Sequence, residues 1–137
     1  MILNEVKIGQ QVSISKIITE SDVESFAVLS MDRNPIHFDE DFASRTFFRR
    51  RIAHGLLGVA LISGALTELM GPGNLWLSSV INYEKPIFIN DEITCSLSIE
   101  SIDKRKIARI KVQITNQRSE NVITGTVSSL RLSAMNI

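Results

Sequence analysis

The chain is short of the residues that build several common kinds of protein. Cys95 is its only cysteine, so no disulfide can close within the chain. That excludes the disulfide-stapled scaffolds of small secreted proteins and suits a reducing cytoplasm. His37 and His54 are the only histidines, and no spacing between them and Cys95 matches a zinc pattern, so no metal site is expected. Neither sign of charge is in excess. Fifteen Lys+Arg face 15 Asp+Glu, and the formal net charge is zero. No overall field therefore draws the chain to nucleic acid or to an anionic membrane. The longest apolar stretch, Gly55 to Leu66, is broken by Ser63 and is too short to span a bilayer. Met1-Ile2-Leu3-Asn4-Glu5 has no basic region leading into an apolar core, so no signal peptide is expected. Pro35, Pro72 and Pro86 are scattered as punctuation, and there is no repeat, linker or low-complexity tract.

What remains is an ordinary globular composition: 137 residues, 44% hydrophobic and 22% charged. Such a chain fits one domain over 1–137 with one core. Gln11 to Ile18 alternates apolar and polar residues and reads as a strand. Thr19-Glu20-Ser21-Asp22 supplies helix-start residues, and Asp22 to Ser30 reads as a helix with Val23, Phe26 and Ala27 on one face. Asn34-Pro35 ends any helix, because proline disfavours the helical region for the residue before it. Asp39 to Ser44 fits one more helical turn, and Arg45 to Ile52 reads as a loop.

His54 to Leu69 is the most informative element. Its apolar residues go nearly all the way round, so protein must surround it. After Gly71-Pro72-Gly73 come strands. Leu75 to Tyr83 is the first. Ile93, Cys95, Leu97 and Ile99, and then Ala108, Ile110, Val112 and Ile114, alternate cleanly with polar residues. Val122 to Leu132 is the last, with a shift near Ser128-Ser129 that suggests a bulge, after a hairpin turn at Ser119-Glu120-Asn121. The order predicts an α+β fold: one antiparallel sheet wrapped round a central buried helix, the hot-dog arrangement. A sheet of this kind leaves an exposed edge, and pairing with a second copy covers it, so a homodimer or higher homo-oligomer is expected.

Asp32 and His37 lie five residues apart across Asn34-Pro35, which is expected to hold the loop extended. A carboxylate and an imidazole aimed at one point can handle one water, one group taking a proton while the other delivers one. Taken alone, the pair also fits a plainer reading, with Asp32 capping a turn and His37 a satisfied loop histidine. Ala53-His54-Gly55 opens the buried helix. A helix N-terminus exposes N–H groups, so the Gly55 amide can face a carbonyl oxygen that gains negative charge, while His54 borders the site. The plainer alternative is that Gly55 eases packing.

Ser30-Met31-Asp32-Arg33-Asn34-Pro35-Ile36-His37, then Ile52-Ala53-His54-Gly55, then Ser63-Gly64, resembles the MaoC-like, (R)-specific enoyl-CoA hydratase family. The likeness runs nearly the whole chain and includes Tyr83-Glu84-Lys85-Pro86-Ile87-Phe88-Ile89-Asn90-Asp91. It implies the hot-dog fold and a place in fatty acid metabolism. The implied activity is hydro-lyase: water added to a trans-2-enoyl thioester, or removed from an (R)-3-hydroxyacyl thioester. It implies Asp32 and His37 as the catalytic pair, the Gly55 amide as oxyanion donor, Asn34 as a residue that fixes the loop, and Ser63 as a serine near the pair. For Ser63 the alternative is a hydroxyl bonded back to the Val59 carbonyl. No cofactor is required. One departure matters: the family's glycine before the aspartate is Met31 here. If that position needs positive φ, methionine costs roughly 1–2 kcal/mol, or its side chain reshapes the acyl pocket.

The thioester carrier is coenzyme A or acyl carrier protein. Arg45, Arg49, Arg50 and Arg51 cluster before the buried helix and can meet CoA phosphates or an acidic carrier. A solvated charge run is the plainer account. Two rival functions remain at this point: a non-catalytic hot-dog module that binds acyl thioesters or a partner protein, and an acyl-thioesterase.

Overall fold

Capping residues and hydrophobic alternation set most of the element boundaries. The computed structural model describes residues 5–132. Strand β1 is Gln11–Ile17, and helix α1 is Glu20–Ser30. The Thr19 hydroxyl accepts the Asp22 N–H at 3.1 Å, and the Asp22 carboxylate accepts the Thr19 N–H at 2.9 Å. This reciprocal pair meets two donors that a helix start otherwise leaves open. Helix α1 stops where Met31 turns left-handed, at φ 63 and ψ 14. The positive φ anticipated for the residue before Asp32 is therefore present, and methionine adopts it.

Two short helices follow, α2 at Pro35–Phe38 and α3 at Glu40–Ser44. The expected extended loop across Asn34-Pro35 is corrected here. Proline has no N–H to lose at a first helical position and its fixed φ suits it. The Asn34 side chain then accepts the Ile36 N–H at 3.2 Å. The dipeptide ends one helix and starts the next.

Helix α4, Gly55–Met70, precedes strands β2 (Asn74–Tyr83), β3 (Glu92–Ile102), β4 (Ala108–Thr115) and β5 (Asn121–Arg131). The sheet order is β1-β3-β4-β5-β2, with every pairing antiparallel. The inward residues of β3 and β4, Ile93 through Ile99 and Ala108 through Ile114, are fully buried, as are Ile123 and Val127 of β5. Against this face α4 lays Ile62, Ala65, Leu66 and Leu69. The outer face is polar, with hydroxyl pairs Ser13–Ser96 at 2.9 Å and Ser15–Thr94 at 2.7 Å.

The chain does not cover α4 all the way round. Leu61 and Leu66 are buried and Leu57 is half-buried, but Leu56, Ser63, Gly64 and Thr67 are exposed. The predicted bulge also moves. The irregularity lies in β2 between Trp76 and Ser78, opposite Ser128 and Ser129, and β5 keeps its alternation there. Ser129 is simply a polar residue on the inward face, bonded to the Leu75 carbonyl at 3.0 Å and to the Asn74 side chain. The hairpin turn between β4 and β5 is closed by Asn116 N–H donating to the Glu120 carbonyl at 3.0 Å. No helix among the described residues is long and apolar enough to cross a membrane. Residues 1–4, on which the expectation about a signal peptide rests, lie outside the described residues, as do the two ends of a 1–137 domain.

Candidate active site

The α1–α2 turn delivers Asp32 and α2 delivers His37 to one pocket. The pocket has a volume of about 380 Å³. Phe26, Phe48, Ile87 and Ile123 make its apolar walls, and Asp32, His37, His54 and Gly55 supply its polar groups. A hydrogen-bonding atom of each of Asp32, His37 and His54 lies within 4.8 Å of the others. Two hydrogen bonds of ordinary length meeting at one water span about 4.6 Å. The carboxylate and the imidazole are thus placed so that one water can touch both.

Each member of the pair is held by its backbone. Asp32 accepts the Asn34 N–H on its own carboxylate at 3.0 Å, while Asn34 caps α2. His37 is 7% exposed. Its Nδ1 sits 2.7 Å from the Ile52 carbonyl, so Nδ1 carries the proton and Nε2 keeps a lone pair. Burial pushes the His37 pKa down from 6.5. The Ile52 carbonyl and Asp32 oppose that shift, while His54 and Arg51 reinforce it. The neutral, proton-accepting imidazole is favoured.

His54 stands closer to the site than its border position in the sequence suggested. It is buried, its ring lies 3.8 Å from the His37 ring, and its Nε2 lies 3.0 Å from the Asp32 carbonyl. Its Nδ1 is buried with no hydrogen-bond partner. One residue thus packs on His37 and anchors the backbone of Asp32. Gly55 begins α4 beside it, with no side-chain cap bond at His54, so the first N–H groups of the helix remain open. The glycine has a packing cause as well. A Cβ at Gly55 would stand 2.5 Å from Cε1 of Tyr83. Tyr83, which entered the sequence analysis only as the start of a stretch resembling the family, is thereby a pocket residue.

The structure does not bring every expected residue here. Ser63 is two helical turns on, roughly 12 Å along the axis, exposed and absent from the pocket lining. Its hydroxyl makes no bond to Val59 among the described residues either. The four arginines diverge. Arg45 pairs with Asp41 at 3.3 Å in solvent, and Arg49 is exposed. Arg50 stacks 3.6 Å above the Phe88 ring. Arg51 turns inward, to the His37 carbonyl and Glu20. Met31 is 87% exposed and does not line the pocket, so its side chain does not reshape it within this chain.

Asp32, His37 and His54 also make the one cluster of potential metal ligands found among the described residues. The two rings lie 31° from parallel at 3.8 Å. Two of the four ring nitrogens also face carbonyl oxygens. The arrangement is a carboxylate and an imidazole at one pocket, with the His54 ring packed on the imidazole.

Comparison with known proteins gives the family. The family model described as MaoC like domain matches residues 4–122. An (R)-specific enoyl-CoA hydratase of Rhodospirillum rubrum is 41% identical over 103 residues, covering 74% of this chain and 72% of that protein. A 3-hydroxybutyryl-CoA dehydratase of Methylorubrum extorquens is 42% identical over 108 residues, covering 77% and 69%. The solved structure of the (R)-hydratase from A. caviae involved in PHA biosynthesis superposes with a TM-score of 0.89 at 32% identity, over 95% of this chain and 100% of that one.

Proposed function

The chain belongs to the MaoC-like domain family, and from that premise we propose how its pocket works as an (R)-specific enoyl-CoA hydratase. It is a hydro-lyase that interconverts trans-2-enoyl-CoA and (R)-3-hydroxyacyl-CoA. The observation that carries the mechanism is the spacing of Asp32 and His37 around a position for one water, with Nε2 of His37 unprotonated. The Asp32 carboxylate accepts one hydrogen of that water and turns its oxygen toward Cβ. His37 Nε2 takes the other proton as the oxygen bonds to Cβ. The Cα=Cβ electron pair moves toward the thioester, whose oxygen gains charge at the Gly55 N–H. The imidazolium then returns its proton to Cα. Water is consumed in full, and no cofactor takes part in these steps.

Asn34 holds the Asp32 turn, and Ser63 lies too far along α4 to act in this step within one chain. Coenzyme A is the favoured carrier over acyl carrier protein, with Arg49 and Arg50 the arginines best placed for its phosphates, since Arg45 is paired and Arg51 is turned inward. A homodimer is supported by edge strand β2, which leaves Leu75, Leu77, Val80 and Tyr83 substantially exposed, and by the uncovered side of α4. A reducing cytoplasm suits a chain whose one cysteine, Cys95, is a free thiol.

The deciding experiment follows two signals with purified protein and enoyl-CoA of several chain lengths, then with the same acyl groups on carrier protein. Loss of the enoyl absorbance without release of free thiol is expected. Thiol release would make the protein a thioesterase. Neither signal with any substrate would leave a non-catalytic thioester-binding module.

A further inference from the structure

Helix α2 is a single turn, too short to persist by itself. Its carbonyls point past its end and need outside donors. The Pro35 carbonyl takes the Asp39 N–H at 2.8 Å. Those of Ile36 and His37 are met by one short strap before α4. The Ile52 N–H donates to the Ile36 carbonyl at 3.3 Å, and Arg51 Nε donates to the His37 carbonyl at 2.7 Å. The other side of the strap is tied to the β2–β3 connection, where the Ala53 N–H donates to the Ile87 carbonyl at 2.7 Å.

Arg51 stands apart from its neighbours in the arginine cluster. Its side chain is 18% exposed, against 71% for Arg45. Its second arm, Nη2, meets the Glu20 carboxylate at 2.5 Å. Glu20 begins α1, the helix whose far end leads into Asp32. One guanidinium therefore links α1 and α2, the two helices that bracket the Met31–Asp32–Arg33–Asn34 turn. Only a planar fork with donors in two directions makes both bonds at once.

We propose that Arg51, anchored by Glu20, is a positioning residue for His37, fixing α2 so that the imidazole faces Asp32 across the reacting water. The inference rests on the hydratase reading above. The guanidinium also places a positive charge beside the imidazole and so resists its protonation, in the same direction as burial and His54 and against Asp32. The other charged groups around the pocket are Glu84 and Lys85 on its opposite wall. Held this way, His37 stays a ready proton acceptor.

The test compares Arg51→Met and Arg51→Lys with the wild type by two independent readouts. One is kcat and KM for enoyl-CoA hydration across pH. The other is the NMR titration of the imidazoles, of which the chain has two, assigned with His37→Gln. For Arg51→Met, kcat should fall roughly 10- to 100-fold, as expected of a misplaced catalytic group, with KM little changed. His37 should titrate at higher pH than in the wild type, and the acid limb of kcat/KM should move up with it. Arg51→Lys should keep the titration near that of the wild type yet restore only part of kcat. Wild-type kcat together with wild-type His37 titration in both variants would overturn the proposal, even with a lowered melting temperature. If Arg51→Met does not fold, Arg51→Lys and the surface variant Glu20→Gln decide by the same readouts. A wild type inactive on every thioester would sink the hydratase reading instead, while the titration would still report on Arg51.

Discussion

Replacing Met31 by glycine isolates the backbone strain of one residue beside the active site. Met31 ends α1 at φ 63 and ψ 14, and its side chain is 87% exposed. The left-handed conformation costs an L-residue roughly 1–2 kcal/mol, and glycine nothing comparable. Against this gain, glycine adds freedom to the unfolded chain, an opposing effect of about 0.4–1 kcal/mol. The exposed methionine side chain gives up little burial. The net expectation for Met31→Gly is a stabilisation of about 0.5–1 kcal/mol, or roughly 2–4 °C in Tm. Met31→Ala is the control, because it removes the same side chain and keeps the strained φ; it should stay within about 0.5 kcal/mol of the wild type. Thermal melts at one fixed protein concentration, backed by urea titrations, measure both. Hydration activity should be unchanged in either variant, since Met31 does not line the pocket. A glycine variant no more stable than the alanine variant would refute the strain argument. A large change in activity would refute the claim that the methionine side chain plays no part in the pocket.

Asp32→Asn and His37→Ala should each lower the hydration rate by roughly 10²–10⁴-fold without loss of fold, and wild-type rates in both would end the proposed mechanism. Because His37 must be neutral to accept a proton and its pKa is lowered, activity should persist below pH 6.5 and fall only as pH drops further through the depressed value. The same shift means the unfolded chain binds that proton first, so this histidine's contribution to stability is present above pH 6.5 and is lost as pH falls below it. Leu66→Ala removes a fully buried contact between α4 and the sheet, and chemical denaturation should show a loss of about 2–5 kcal/mol. Light scattering at micromolar concentration should give at least a dimer mass, and a monomer would count against pairing through β2.

Strands β3 and β4 were legible because both bury one face against α4 and wet the other, so alternation survives intact in the sequence. Strand β2 was found with its boundary but not its irregularity, because the step between Trp76 and Ser78 is set by pairing with β5 across some fifty residues. Helix α4 looked apolar all round, and half of that was misleading: a helix side left bare by its own chain reads in the sequence like a buried one. The Asp32–His37 pair showed in its spacing. Its supports did not. Arg51, Ile52 and His54 reach back 14, 15 and 22 residues to His37 and Asp32, and no local pattern marks an arginine that will turn inward among three that remain outside.

On the proposed mechanism, the unlike settings of Asp32 and His37 argue for a division of labour between them. Asp32 is exposed, and its carboxylate accepts the Asn34 N–H. On that mechanism it serves as hydrogen-bond acceptor and counter-charge. His37 is buried beside another ring and a guanidinium, surroundings in which an imidazolium is unfavourable. The Ile52 carbonyl and Asp32 oppose the lowering of its pKa, and a further negative charge on bound substrate would favour the imidazolium more. In the hydration direction that charge arises on the thioester enolate at the moment of attack, and protonation at Cα then removes both charges together. A site that stabilised the imidazolium strongly would take the proton from water and keep it. The burial of His37 therefore serves the second half of the reaction as much as the first. A solvated histidine at position 37, with the same Asp32 opposite, would be expected to activate water yet return the proton to Cα slowly.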